Sequence, residues 1–203
     1  MLKKILYSLG NLLGIALFTI LCTATIKNYQ ETGSLFSFGI VLVNGLILAL
    51  YFIRNEPNAL IELPFAWLIS IVTTLLPFLY RPTQEAFLAG LLDAGFFLQI
   101  IGILAILGSL LSLRGSMGIV PANRGIKKGG FYRIVRHPLY ASELIFFTGY
   151  VLSNQSAFNF LLLLLLFSMQ YSRSRIEENF LINDPGYKLY MSCTRYRFIP
   201  GLL

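Results

Sequence analysis

Long runs of apolar residues, separated by short polar stretches, dominate the chain. Four runs, at 5–26, 35–53, 60–79 and 87–113, have about the 20 residues that a helix needs to cross a hydrocarbon core of ~30 Å. Two shorter runs follow at 139–152 and 157–171, on either side of the polar turn at 153–156. This pattern predicts an all-α integral membrane protein with about five to six membrane helices, of which the last two form a short helical hairpin.

The composition indicates the same class of protein. Of the 203 residues, 56% are hydrophobic and 12% are charged, whereas about 25% of the residues of a soluble domain are charged. We expect a four-helix transmembrane region at 1–113 and a core at 114–203 that contains the hairpin and a C-terminal tail. The two cysteines, Cys22 and Cys193, predict neither a disulfide nor a metal site.

The positive charges are distributed unequally along the predicted topology. Cytoplasmic loops of membrane proteins retain lysine and arginine. When the N-terminus is cytoplasmic and the hairpin returns to that side, only Lys27 and Arg81 of the 16 lysines and arginines fall on the far side. The charges therefore predict a multi-pass protein with both termini in the cytoplasm, in a bacterial inner membrane or, in a eukaryote, the endoplasmic reticulum. The net charge of +7 suits anionic membrane lipids, and no nucleic-acid partner is expected.

The stretch GGFYRIVRHPLYASE, at 129–143, is unusually polar for this chain. Pro138 favours the first turn of a helix, so His137 is expected just outside that helix, with Tyr140 on the same face. An antiparallel hairpin centred near Gln155 brings His137 level with Arg173. The sequence therefore predicts a pocket at the cytoplasmic end of the hairpin.

The second arm of the hairpin carries charges of both signs. Arg173 and Glu177 lie four residues apart, and Arg175 and Glu178 lie three apart. Residues at these spacings share a helix face, so each pair either belongs to the pocket or forms an ordinary ion pair on the helix surface. The sequence leaves both interpretations open.

Three segments of the chain resemble a known family. GFYRIVRHPLY, RIEENFL and YKLYMSCTRYRFIPGLL are similar to the C-terminal half of the integral membrane methyltransferases that include isoprenylcysteine carboxyl methyltransferase and phospholipid methyltransferases. The resemblance covers about residues 124–203. It implies S-adenosyl-L-methionine as the cofactor, bound at the cytoplasmic end of the hairpin. It also implies a lipophilic methyl acceptor from the bilayer, either an isoprenylcysteine-like carboxylate or a lipid headgroup.

The resemblance also implies a set of cofactor-binding residues, in which Glu178 holds the ammonium group of the cofactor. The set is Arg124, Gly125, Ile126, Lys127, Gly130, Tyr132, Arg136, His137, Pro138, Tyr140, Glu177 and Glu178. The closing stretch TRYRFIPG is expected to form a lid or wall of the same site. On this basis, Glu178→Ala is expected to abolish cofactor binding while the protein stays folded.

The nature of the acceptor decides which residues act on it. A carboxylate acceptor is already ionised and needs an arginine to orient it, for which the resemblance offers Arg175 or Arg173. An amine or thiol acceptor needs a base instead, and Glu143, Glu177 or His137 could serve. The partners expected are therefore membrane lipids and a lipophilic small molecule or a lipidated substrate, while the oligomeric state stays open.

Two other functions are compatible with the sequence. One is an NADPH-dependent membrane reductase of the sterol reductase type, because those enzymes share the hairpin fold and a similar RHPxY element, although their chains are much longer. The other is a non-enzymatic membrane partner protein that keeps the scaffold. Binding of S-adenosylmethionine, of NADPH or of neither separates the three functions.

Overall fold

A computed structural model describes residues 2–33, 35–83 and 88–202, which are mostly helical. Within those ranges there are seven α-helices: α1 Leu2–Thr32, α2 Leu35–Phe52, α3 Pro64–Leu75, α4 Leu92–Leu113, α5 Pro138–Ser153, α6 Ala157–Leu181 and α7 Pro185–Cys193. Two short strands, β1 Ala59–Leu60 and β2 Ala122–Asn123, pair antiparallel. The prediction of a helical protein is confirmed, whereas the strand pair and α7 carry no apolar run and were not predicted.

The helices follow the apolar runs, with differences where proline or polar residues intervene. The third run begins at Leu60, the last residue of β1, and continues through α3 into a 3-10 turn at Leu76–Leu79. Pro64 begins α3, and Pro77 stands at the start of the turn, where its missing N–H breaks the α-helical pattern. The predicted start of the fourth run, Phe87, lies outside the described residues, and α4 itself begins at Leu92.

Some of these helices are suited to a membrane. Among the described residues, the helical stretches Tyr7–Thr32 and Leu92–Ser116 are long and apolar enough to cross a bilayer, and two shorter apolar stretches cover Phe36–Phe52 and Pro64–Leu79. The predicted count of five to six spans and the membrane hairpin stay predictions, as do the two predicted regions of the chain.

A buried core lies between α1, α2, α4 and α5. Phe18 and Tyr51 pack with their ring centroids 5.7 Å apart, and Leu110 and Phe146 belong to the same buried cluster. Met117, just after α4, extends this cluster toward the end of the bundle at which α5 begins. The core therefore holds that end of α5 against the first two helices.

Close contact between α4 and α5 depends on glycine. A Cβ added at Gly149 of α5 would lie 2.6 Å from the carbonyl oxygen of Gly95, and one at Gly102 would lie 2.6 Å from the Cα of Phe146. Small residues of this kind let membrane helices approach backbone to backbone. No larger side chain fits without moving one helix away from the other.

We expect Gly149→Ala to destabilise the protein by about 1–3 kcal/mol, the usual cost of overpacking a well-packed interior. The measurement is the thermal unfolding temperature of the detergent-solubilised protein. Gly45→Ala is the matched control, since a Cβ at Gly45 of α2 meets nothing within 4 Å. An unfolding temperature for Gly149→Ala equal to that of Gly45→Ala would contradict the packing of α4 against α5.

At the opposite end of the bundle, three amides fix the connection between α5 and α6. Asn159 is fully buried and exchanges hydrogen bonds with both the N–H and the carbonyl oxygen of Arg81. The side chain of Asn154 accepts a hydrogen bond from the N–H of Thr83, and Gln155 bonds both backbone groups of Leu88. Backbone N–H and carbonyl groups outside regular helices and strands lack a regular hydrogen-bond partner, and these side-chain amides supply one.

The register between α5 and α6 differs from the predicted one. The guanidinium of Arg173 lies over the ring of Tyr140, so Arg173 is level with Tyr140 and not with His137. His137 meets Glu178 instead, about one helical turn further along α6. Asn154–Ser156 lie outside both helices and are centred on Gln155, as predicted, so the difference in contacts does not come from the position of the turn.

Candidate functional site

Two cavities meet at the end of the bundle where α5 begins and α6 ends. The larger, of about 340 Å³, is lined mainly by apolar side chains of α1 to α5. The smaller, of about 60 Å³, lies against residues 122–127 and α7. The two share a wall whose charged and aromatic members are Arg124, Tyr132, Arg136, His137 and Glu177.

The start of α5 places His137 at this wall. Pro138 is the first residue of the helix, as predicted, and His137 precedes it with an extended φ of −125°. The imidazole stacks on the ring of Tyr140, with the centroids 5.3 Å apart and the planes 11° apart. His137 and Tyr140 therefore share a face, in agreement with their spacing in the sequence.

The closing stretch of the chain covers the same region. The N–H groups of Arg136 and His137 donate to the carbonyl oxygens of Tyr196 and Arg197, each at 2.9 Å. Phe198 is buried, and its ring lies at 64° to that of His137 with the centroids 6.0 Å apart. TRYRFIPG thus packs on the residues that open α5, where the sequence predicted a lid or wall.

Glu178 is held by two arginines and a histidine. It accepts hydrogen bonds from Nε of Arg136 at 2.7 Å and from Nη2 of Arg197 at 2.5 Å, and its contact with Nε2 of His137 is 3.1 Å. Burial by itself raises the pKa of Glu178, but the bonds from His137, Arg197 and Arg136 outweigh burial and hold that pKa well below its ordinary value. Glu178 therefore stays ionised, and it lines neither cavity.

Glu177 is the carboxylate that faces the cavities. It lines both of them, and Oε2 accepts a hydrogen bond from the hydroxyl of Tyr140 at 2.8 Å. The side chain of Glu178, the next residue of α6, instead points toward Arg136, His137 and Arg197. The predicted ammonium ligand Glu178 is thus directed away from the cavities, and the carboxylate available to a ligand is that of Glu177.

The structure distinguishes Arg173 from Arg175, the two arginines that the sequence offered for orienting a carboxylate acceptor. Arg173 is buried, lines the larger cavity, lies 4.8 Å from the ring centroid of Tyr140 and donates to the carbonyl oxygen of Ile119. Arg175 is exposed and lines neither cavity. Neither arginine forms an ion pair with Glu177 or Glu178 among the described residues.

Glu143 brings a further carboxylate to the larger cavity. It lies one turn beyond Tyr140 on α5 and accepts a hydrogen bond from the side-chain amide of Gln170 on α6. The amide oxygen of Gln170 is buried without a hydrogen-bond partner. The cavity therefore presents a carboxylate at Glu143 and a guanidinium at Arg173, so it can orient an anion or accept a proton from a neutral nucleophile.

The remaining predicted cofactor residues divide into two groups. Arg124, Gly125, Ile126 and Lys127 line the smaller cavity, with Gly125 at a φ of +95° that favours glycine. Gly130 and Pro138 line neither cavity. They have structural roles instead, because a Cβ at Gly130 would lie 2.2 Å from the hydroxyl of Ser112 and Pro138 begins α5.

Residues of α7 complete the smaller cavity and were missing from the predicted set. Tyr187 and Tyr190 line it, and the hydroxyl of Tyr190 donates to the carbonyl oxygen of Tyr132 at 2.7 Å. Burial raises the pKa of both phenols, so both stay protonated. The signal was present in the sequence: Asp184 and Pro185 are a typical helix start, and tyrosines three residues apart share a face.

Comparison with known proteins matches one segment of the chain to a family model. Residues 91–184 match the family model described as phospholipid methyltransferase. The matched segment contains α4, α5 and α6 and every charged or aromatic residue of the shared wall. No curated protein matches the chain. The resemblance drawn from the sequence is confirmed, and the match supports a membrane methyltransferase.

Proposed function

We propose, from the match of residues 91–184 to the phospholipid methyltransferase family, that the protein transfers a methyl group from S-adenosylmethionine to a lipophilic acceptor in the membrane. The observation that carries the proposal is the meeting of a polar and an apolar cavity at one wall. The proposed orientation is multi-pass, with both termini and the two cavities on the cytoplasmic side, as the distribution of lysine and arginine indicates.

The smaller cavity and the shared wall fit the cofactor chemically. One oxygen of Glu177 is bonded by Tyr140, which leaves the other available to an ammonium group. Tyr132 lines both cavities and offers an aromatic face to a cation. At about 60 Å³ the smaller cavity is below the roughly 300–1,000 Å³ usual for a ligand of drug size. The cofactor would therefore extend past the wall into the larger cavity.

The larger cavity fits an apolar acceptor. Its volume of about 340 Å³ and its lining by residues such as Leu17, Val43 and Ile106 suit a hydrocarbon chain. Arg173 and Glu143 stand in the part of this cavity formed by α5 and α6. The polar end of a lipid is therefore proposed to lie beside them.

The residues around the acceptor have few chemical tasks. When bound, S-adenosylmethionine supplies a methyl group on a positively charged sulfur, so the protein mainly aligns the nucleophile and excludes water. An ionised carboxylate acceptor would be oriented by Arg173. An amine or a thiol would lose its proton to Glu143, which Gln170 holds in place. Exposed Arg175 has no part in the proposed reaction.

We expect the detergent-solubilised protein to bind S-adenosylmethionine saturably and to show no saturable binding of NADPH. The measurement is calorimetric titration with each compound, followed by incubation with methyl-labelled S-adenosylmethionine and a total lipid extract. Label recovered in the organic phase supports methyl transfer to a lipid. Binding of NADPH alone would favour the reductase, and binding of neither compound would favour a non-enzymatic protein.

A further inference from the structure

Asn44 brings an amide group to an otherwise apolar face of α2. The residues of α2 that line the larger cavity are Ile40, Val43, Asn44 and Ile47. Residues at this spacing lie on one side of a helix, so the side chain of Asn44 is directed into the cavity. The other three side chains are aliphatic, and Asn44 is therefore the polar group that α2 contributes to the cavity wall.

The amide of Asn44 has no partner within the part of the chain that the structure describes. Its side chain is half-buried, and it forms no hydrogen bond with any of those residues. A polar group in an apolar interior costs free energy when it lacks a hydrogen bond. In membrane helices such groups usually face a cavity and mark the path of a substrate. The partner of Asn44 is therefore expected in a molecule that enters the cavity.

Three other polar side chains of α1 to α3 line the larger cavity, and all three already donate a hydrogen bond. The hydroxyls of Thr25, Thr73 and Thr74 donate to backbone carbonyl oxygens of their own helices, at 2.8, 2.6 and 2.8 Å. A hydroxyl has one proton, so these groups can accept a further hydrogen bond but not donate one. The amide of Asn44 has two protons to donate. A carbonyl oxygen, which can only accept, is the ligand group that specifically matches Asn44.

The position of Asn44 along the bundle indicates which part of the acceptor it meets. Phe36 of α2 stacks on Phe146 of α5, with the ring centroids 5.5 Å apart. The end of α2 lies beside Gly115, after α4, and α4 packs antiparallel on α5, so α2 and α5 run in opposite directions. Asn44 is eight residues beyond Phe36, or about 12 Å closer to the start of α5. It therefore lies at or just beyond the level of Glu143, where the polar end of the acceptor is proposed to bind.

We propose that Asn44 donates a hydrogen bond to a carbonyl oxygen of the acceptor, close to the group that receives the methyl. This proposal rests on the proposed function, and it adds a specificity-determining residue on α2, outside the matched segment 91–184. An ester or amide carbonyl at the junction of the hydrocarbon chain and the polar end would satisfy the amide. An ether at that junction would leave the amide unpaired, so it should bind more weakly.

The test compares monoolein with oleyl glyceryl ether, which has the same chain and glycerol but no carbonyl group. The protein is solubilised in dodecyl maltoside, a detergent that also lacks a carbonyl, and each lipid is titrated by calorimetry. We expect the wild-type protein to bind the ester about 3- to 10-fold more tightly, the effect of one hydrogen bond between uncharged groups. Asn44→Leu has a similar volume and no donor, so it should bind the two lipids equally.

Asn28→Leu is the matched control on α1. The side chain of Asn28 donates to the hydroxyl of Ser37 and lines neither cavity. Asn28→Leu should therefore keep the preference for the ester but unfold at a lower temperature, because it loses a hydrogen bond within the protein. Asn44→Leu loses no such bond, so it should unfold at or above the wild-type temperature. This combination of preserved stability and lost preference distinguishes a ligand contact from a structural amide.

Four results would overturn the proposal. Equal affinity of the wild type for the two lipids would show that no carbonyl is recognised. A preference that persists in Asn44→Leu would assign the recognition to another residue. An unfolding temperature of Asn44→Leu as low as that of Asn28→Leu would show that the amide supports the fold. Weaker binding of S-adenosylmethionine by Asn44→Leu would place the amide at the cofactor.

A second variant keeps the test decisive if Asn44→Leu does not fold. In Asn44→Thr the new hydroxyl is expected to donate to the carbonyl oxygen of Ile40, four residues earlier, as the three threonines of the cavity do in their helices. The position then stays polar but has no free donor, so the preference for the ester should again disappear, and its persistence would contradict the role of Asn44. Failure of the proposed function is separate, since it appears as the absence of S-adenosylmethionine binding in the wild type.

Discussion

Replacing Glu178 with glutamine is expected to destabilise the protein by about 3–5 kcal/mol, the usual effect of removing one partner from a buried ion pair. The carboxylate contacts Arg136, His137 and Arg197, and it has a side-chain exposure of only 6%. Without it, two guanidinium groups lose their counter-ion inside the protein. The contact between the closing stretch and the start of α5 should then open.

Thermal unfolding of the solubilised protein, followed by circular dichroism, measures this effect. Glu177→Gln is the matched control, because it makes the same chemical change one residue earlier, at a carboxylate with a side-chain exposure of 26%. Equal unfolding temperatures for the two variants would contradict the structural role of Glu178. The sequence-based expectation that Glu178→Ala removes cofactor binding from an intact protein is replaced by this prediction of instability.

The largest functional effect is expected from Glu177→Gln. A hydrogen bond to a charged group is worth about 1.5–3 kcal/mol, so loss of this carboxylate should weaken S-adenosylmethionine binding roughly 10- to 150-fold. The hydroxyl of Tyr140 can still donate to the amide oxygen of the variant, so the fold should be kept. Titration calorimetry of the two proteins gives the ratio.

Analogues of the cofactor can show whether Glu177 acts on the ammonium group. S-adenosyl analogues that lack the α-amino group should bind wild type and Glu177→Gln with similar affinity, because the proposed partner of Glu177 is absent from them. A large difference between the two proteins for such an analogue would show that Glu177 acts elsewhere than at the ammonium group.

Much of the architecture could be predicted from local patterns. Apolar runs indicated where six of the helices lie, although α6 continues from the end of its run at 171 to Leu181, and the His-Pro pair indicated the start of α5, because proline acts on its immediate neighbours. Details that depend on packing between distant segments could not be predicted. The contacts between α5 and α6, with Arg173 over Tyr140 and His137 beside Glu178, depend on how side chains pack, which hydropathy does not show.

In the candidate site, too, the features set by local sequence could be predicted and those set by packing could not. The sequence brought His137, Tyr140 and the two glutamates to one end of the bundle, and the structure places them there. The resemblance assigned the ammonium group of the cofactor to Glu178, whereas Glu177 is the glutamate that lines the cavities. The approach of Arg54 and Arg124 to the same glycine, Gly118, could not be foreseen, because about seventy residues separate the two arginines and no periodic pattern connects them.

The contact between the closing stretch and the start of α5 has a consequence for biosynthesis. Residues 194–198 follow α5, α6 and α7 along the chain, so Arg136 and His137 are synthesised well before Arg197 and the backbone groups of the closing stretch. The charged cluster around Glu178 can therefore be completed only once the closing stretch has been made. A chain shortened to residue 193 would carry the seven described α-helices and still lack the backbone contacts that cover the start of α5.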